Sequence, residues 1–249
     1  MADTDTDAGS TDTGGTDTGS TDAGAGAKTP RERYRTQVRA EIKERAWEQI
    51  ATAGASALSL NAIAKRMGMS GPALYRYYAG RDELITELIR DAYRSLADTF
   101  RAASASASGA DLAALAHALR GWALEDPQRY FLIYGTPVPG YHAPDDVTAI
   151  ASEIMATLLD ACAAMPSGSG SGGDSPETST ATEFGAHIED LGRQWAAGHP
   201  APPAALQRAL TFWTRLHGVL SLELAGHFTG MGFDPALLFA AELDDVRAR

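Results

Sequence analysis

Residues 59–84 read SLNAIAKRMGMSGPALYRYYAGRDEL, and this stretch decides the fold. Ser59 suits the N-cap of a short helix, because its hydroxyl can accept from an otherwise unpaired amide. The buried side of that helix falls to Leu60, Ile63, Ala64 and Met67. Gly68 supplies the left-handed residue that ends it, and Met69 plugs the corner. Ser70 stands where it can cap the next helix, with Pro72 in the first turn, where a missing amide costs least. The spacing predicts about two turns for this second helix, which carries Ala73, Leu74, Tyr77 and Tyr78. Two short helices joined by a tight glycine turn form a helix-turn-helix, whose second member fits a major groove about 12 Å wide. Gly71 and Pro72 lack long side chains, so this helix can press close to base edges. Pro72 and Ala73 can touch a thymine methyl. Leu74 and Tyr78 are expected in the core.

The string resembles the tetracycline-repressor (TetR) family of bacterial transcription regulators. The resemblance spans about residues 33–86 and is carried by Ser59-Leu60, Ile63-Ala64, Gly68-Met69-Ser70, Ala73-Leu74-Tyr75-Arg76-Tyr77-Tyr78 and Arg81-Asp82-Glu83-Leu84. It implies that Tyr75 contacts a base or phosphate, that Tyr77 and Arg81 clamp phosphates, and that Asn61 faces the groove from the first helix. Arg76 either reaches phosphate or is simply solvated. The candidate DNA-binding set is therefore Asn61, Ser70, Gly71, Pro72, Ala73, Tyr75, Arg76, Tyr77 and Arg81. Lys28, Arg31, Arg33, Arg35 and Arg39 read as a basic arm ahead of the first helix, suited to phosphate or minor-groove contact. An unstructured basic spacer is the alternative.

The 249-residue chain has a formal net charge of −11, which by itself argues against a nucleic-acid partner. The distribution argues otherwise. Residues 1–27 hold six aspartates and no Lys or Arg, residues 28–90 hold twelve Lys/Arg against seven Asp/Glu, and residues 91–249 hold nine against nineteen. One basic block lies inside an acidic protein.

Outside the quoted stretch the pattern is helical, so the expected fold is all-α: a helix-turn-helix domain over residues 31–80 and a larger helical domain over residues 81–249. Val38, Ile42, Ala46 and Ile50 recur every four residues, and that helix should end near Gly54. Leu84, Leu88, Tyr93 and Leu96 make a similar apolar stripe after Arg81. Asp126-Pro127, Ala143-Pro144 and Asp234-Pro235 announce three further helix starts. The first 30 residues read as a disordered acidic tail and residues 166–182, rich in Ser and Gly, as a flexible loop. No run approaches eighteen uninterrupted apolar residues and the start is not a signal peptide, so a cytoplasmic protein without membrane contact is expected.

The second half resembles, more weakly, a C-terminal ligand-binding module of such regulators named for its Trp and His-Gly. Trp213-Thr-Arg-Leu-His217-Gly218, Leu222-Glu223-Leu224 and the upstream run from Asp126-Pro127 to Tyr134-Gly135 carry that likeness. Aromatics with polar tips gather here, and Trp122, Tyr130, Tyr134, Trp195, Trp213 and His217 form the candidate effector site. The histidines show no ligand spacing and Cys162 is the one cysteine, so no metal and no cofactor are expected. No nucleophile–base arrangement is visible, and an enzyme or carrier using the same cavity is the alternative. The expected function is a ligand-responsive repressor, released from a palindromic operator by a small apolar or aromatic effector. Pairing of the apolar helix at Pro203–Phe228 with the helix after Pro235 would make it a homodimer.

Overall fold

The computed structural model describes residues 29–105, 111–166, 183–188 and 198–248. The first helix, α1 (Pro30–Ala53), opens with a capping box. Thr29 accepts from the Glu32 amide while the Glu32 carboxylate accepts from the Thr29 amide, and Pro30 occupies the first turn. Two expectations are corrected here. Thr29 and Pro30 belong to the helix rather than to the tail, and Arg31, Arg33, Arg35 and Arg39 lie on α1 rather than on an arm before it. The box and the proline provide the physical reason, because together they pair the first amides and preset the backbone. Lys28 and the rest of the tail lie outside the described residues, as do residues 167–182 of the expected loop. Val38, Ile42, Ala46 and Ile50 are the buried stripe, as their spacing predicts, and Gly54 ends the helix at φ 77°.

After a single 3₁₀ turn, Ala55–Ala57, come α2 (Leu60–Arg66) and α3 (Gly71–Leu74). The Ser59 hydroxyl accepts from the Ala62 amide at 3.3 Å. Gly68 takes φ 65°, which lets the Met69 amide reach back to the Ala64 carbonyl at 2.9 Å. Ser70 precedes α3, but its side chain makes no capping bond; its carbonyl accepts from Ala73 and Leu74 instead. The helix is also shorter than expected, one turn followed by tighter bonding from the Tyr77 and Tyr78 amides to the Leu74 carbonyl.

Helix α4 (Arg81–Ser104) leads into α5 (Leu112–Glu125), α6 (Pro127–Tyr134) and α7 (Asp145–Ala164). Residues 183–188 are helical, α8, and are followed by α9 (Pro203–Leu224) and α10 (Pro235–Arg247). No strand occurs among the described residues. Asp111, Asp126 and Asp234 cap α5, α6 and α10 through their carboxylates, whereas α7 starts one residue after Pro144 without a side-chain cap. By length and composition α7 could cross a membrane. Here Ile150, Ile154, Leu158 and Cys162 bury one of its faces in the core, and Asp146 and Glu153 pair with Arg90 and Arg94 of α4.

Two apolar clusters organise these helices. The first joins α1, α2, Leu74 and Tyr78 with Leu84, Ile85, Leu88 and Ile89 of α4, and extends to Leu132, Val138 and Val147. The second holds Leu96, Ala97 and Phe100 of α4 with the buried faces of α5, α7, α9 and α10. Thus α4 contributes its first half to one core and its second half to the other. Helix α6 does likewise, since Tyr130 belongs to the second cluster and Leu132 to the first.

Candidate nucleic-acid interface and effector cluster

The short helix α3 is anchored by Leu74 and Tyr78, both fully buried. Burial pushes the Tyr78 hydroxyl up to about 12 against the opposing pull of Arg39. Arg39 of α1 lies over the Tyr78 ring at 4.4 Å, donates to the Tyr77 carbonyl at 3.2 Å and pairs with Glu87 at 3.5 Å. It fixes the end of the recognition segment against α1 and α4 and faces inward. Arg81 is also turned to the protein, donating to the Ala55 and Ser56 carbonyls at 2.9 and 3.3 Å. The resemblance gives Arg81 a phosphate; in the fold its guanidinium is bonded to the turn between α1 and α2.

The remaining candidates are exposed or half-buried. Pro72, Tyr75 and Arg76 are exposed, Ala73 and Tyr77 half-buried. Asn61 and Ser70 are exposed too, and a Cβ on Gly71 would stand 3.4 Å from the Asn61 Oδ1. At that glycine the Asn61 side chain of α2 therefore comes close to the start of α3. Beside it Arg31, Tyr34 and Arg35 of α1 form, with Arg76 and Tyr77, an open cleft of about 300 Å³. Tyr34 is 64% exposed, yet it was absent from the sequence-derived set. Its place between Arg33 and Arg35 is the signal that could have included it. Among the described residues Arg31, Arg33, Arg35 and Arg76 have no carboxylate within 4.0 Å, unlike the arginines of the helical body that border α4. A surface with free guanidinium groups, phenol rings and small residues at a helix start is suited to phosphate oxygens and base edges.

In the second cluster four of the six effector candidates come together. The Tyr130 hydroxyl lies 3.0 Å from His217 Nδ1, 3.2 Å from the His217 carbonyl and 2.8 Å from Ser221 Oγ. The His217 ring is 4.2 Å from Trp213 and 4.4 Å from Tyr134, centroid to centroid. Tyr134 also meets Tyr93 of α4 edge-on at 6.1 Å. Burial pulls His217 down to about 4, so the imidazole is neutral at physiological pH. Its Nε2 and the Tyr134 hydroxyl are both buried without a hydrogen-bond partner among the described residues. Burial, then Tyr93 and Tyr130, raises that phenol well above its ordinary value. Trp122 stands apart on α5, its Nε1 donating to Ser95 Oγ at 3.1 Å. Trp195 lies outside the described residues.

Ser221 and Tyr93 were missed by sequence reasoning: a serine on a helix carries no signal, and Tyr93 reads as one more position of an apolar stripe. Tyr93 also lines a cleft of about 200 Å³ with Ile89, Ile133, Gly135 and Tyr141. Among the described residues no group of three or more His, Cys, Asp or Glu stands together as a metal site would require.

Residues 42–88 match the family of bacterial regulatory proteins described as tetR, and residues 112–246 match the tetracyclin repressor-like C-terminal domain. The chain is 38% identical over 215 residues to the HTH-type transcriptional regulator Mb1846 of Mycobacterium bovis, covering 84% of this chain and 90% of the relative. The same figures, 38% identity over 84% of this chain and 90% of the relative, hold for the HTH-type transcriptional regulator Rv1816 of Mycobacterium tuberculosis. Among solved structures, SCO4313 is 72% identical and superposes with a TM-score of 0.76, over 89% of this chain and all of that one.

Proposed function

The chain belongs to the TetR family of helix-turn-helix transcriptional regulators, and on that premise we propose that it is a cytoplasmic homodimeric repressor released from a palindromic operator by a small neutral effector. The observation that carries the reading is the grouping of Arg76 and Tyr77 with Arg31, Tyr34 and Arg35 around one open cleft beside the helix-turn-helix, with Tyr75 exposed next to Arg76 in the sequence. In the proposed complex Arg31, Arg35 and Arg76 take phosphates, while Tyr75, Ala73, Pro72 and Asn61 face the bases. Ser70 and Gly71 allow the close approach. Arg81 and Arg39 act as positioning residues, holding the motif from behind.

The effector reading rests on the pair of unsatisfied buried groups, His217 Nε2 and the Tyr134 hydroxyl. An uncharged ring that moves into this cluster and offers a hydrogen bond would satisfy one or both, whereas a formal charge would meet a neutral imidazole and no counter-ion. Trp213 and Tyr130 supply faces for stacking. Coupling to DNA follows from α4 and α6, each built into both cores. An effector that binds two arrangements of α6 unequally shifts their balance, by about 1–3 kcal/mol in typical cases. A shift at Tyr93, the α4 residue packed against Tyr134, is carried along about 18 Å of helix to the start of α4 beside the recognition helix. In a two-fold dimer the recognition helices must stay about 34–36 Å apart to read both half-sites.

The experiment is selection of duplex fragments by the purified protein, followed by gel-shift titration on the recovered sequence. Recovery of an inverted repeat, bound with steep salt dependence, is expected. Equal affinity for all duplexes would refute the operator reading.

A further inference from the structure

Arg208 is a charged side chain that the fold buries, with 7% exposure. It projects from α9 against the last turn of α7, where Nη1 donates to the Cys162 carbonyl at 2.8 Å. That bond caps a helix end and uses one of five guanidinium N–H groups. Nε is buried with no partner, and among the described residues no carboxylate stands within 4.0 Å of the group. Its neighbour Cys162 cannot serve as counter-ion, because burial pushes that thiol up to about 12 despite Arg208.

Elsewhere the fold treats arginine differently. Arg120 and Arg215, two half-buried arginines of the same helical body, pair with Glu223 at 2.6 Å and Glu242 at 2.9 Å. Arg31, Arg33, Arg35 and Arg76 also lack a carboxylate, but they are exposed and water solvates them. A buried guanidinium without a counter-charge is strongly unfavourable, so this position calls for an anion from outside the described chain.

The surroundings give that anion a place and a size. Arg208 lines a cleft of about 220 Å³ together with Ala204, Gln207 and Thr211 of α9 and Val246 of α10. Positions 204, 207, 208 and 211 share one face of the helix. Polar groups from Gln207 and Thr211 flank the guanidinium, and Ala204 and Val246 add apolar wall. We propose that this cleft binds a small organic carboxylate, its oxygens neutralising Arg208 and its short alkyl part lying against Ala204 and Val246. Planar guanidinium matches carboxylate geometry better than any other side chain does. The site is separate from the aromatic cluster, since Trp213 and His217 lie about 7 and 13 Å further along α9.

The test is a melting titration of the full-length protein with sodium butyrate, matched at each step by sodium chloride. Wild type should gain melting temperature saturably, with a midpoint on the order of millimolar. Arg208→Met should lose the gain. Ala204→Phe, at an exposed position, fills the cleft mouth and leaves the Cys162 cap intact; it should raise the midpoint at least tenfold and melt like wild type without butyrate. It carries the test if Arg208→Met does not fold. A wild type that responds alike to butyrate and chloride overturns the proposal. So does a butyrate-insensitive wild type whose Arg208→Met variant dissociates from dimer to monomer, which would assign the counter-charge to a carboxylate of a second copy.

Discussion

Lowering the pH should destabilise this protein through His217 before its carboxylates are protonated. The imidazole is held by burial near a pKa of about 4, against 6.5 for the free side chain. The folded value is depressed, so between these limits the unfolded chain binds a proton that the folded chain refuses. Stability therefore rises with pH across that window and falls on acidification. Linkage between 6.5 and 4 amounts to about 2 kcal/mol lost on going from pH 7.5 to pH 5, and about 3 kcal/mol at the acid limit. Urea melts at the two pH values measure it, and His217→Asn supplies the reference. Asparagine keeps a polar atom for the Tyr130 hydroxyl but does not titrate, so its stability should change about 2 kcal/mol less over the same interval. Carboxylates and the other histidines are common to both proteins and cancel in the difference. Parallel pH profiles for wild type and His217→Asn would refute the reasoning, as would an imidazole that titrates near 6.5 in the folded protein.

In gel-shift titrations, replacing Arg31, Arg35 and Arg76 together by Ala should remove about five units from the salt slope of a dimer, at about 0.9 per phosphate lost; an unchanged slope would clear this face of phosphate contact. Tyr75→Ala should instead alter base preference by about 1–3 kcal/mol at the affected position, read by competition between operator variants, and uniform weakening over all variants would deny it base contact. Leu216 and Leu220 are fully buried, so a charge at either should prevent folding, while Leu237→Glu, at a position 70% exposed, should leave circular dichroism unchanged and yield monomers in sedimentation. Deleting residues 2–27, with their six aspartates, should tighten DNA binding at low salt, where screening is weakest; equal affinity of truncated and full-length protein would dismiss competition between tail and phosphate.

Periodicity and caps carried much of the fold. Val38, Ile42, Ala46 and Ile50 face inward because a four-residue repeat can satisfy only one side of a helix, and Asp126 and Asp234 cap where Asp-Pro announced them. The start of α1 was legible too, in Thr29-Pro30 and Glu32, but the density of arginines after it drew attention to charge instead. What local pattern does not encode is direction. Arg39 and Arg81 look as available for phosphate as Arg31 and Arg76, and only the packed structure turns them toward carbonyls and Glu87. The stripe from Leu206 to Leu224 suggested an intersubunit face; in the fold Leu206, Leu216 and Leu220 are spent on the protein's own core, while Leu222 of α9 and Leu237 of α10 stay exposed. Of the effector candidates, Tyr130, Tyr134, Trp213 and His217 come together in one cluster, whereas the partners Ser221 and Tyr93 depend on which helices become neighbours.

Because the apolar cluster around the recognition helix recruits Leu84, Ile85, Leu88 and Ile89 from α4, and Leu132, Val138 and Val147 from beyond it, the DNA-reading part is not a portable cassette. A fragment cut after Gly80 would leave Leu74 and Tyr78 without the surface that covers them. Grafting this specificity onto another regulator therefore requires moving the first half of α4 as well, and matching the loop after α6 against it. Swaps made at the apparent boundary would test compatibility of two half-cores rather than exchange one reader for another.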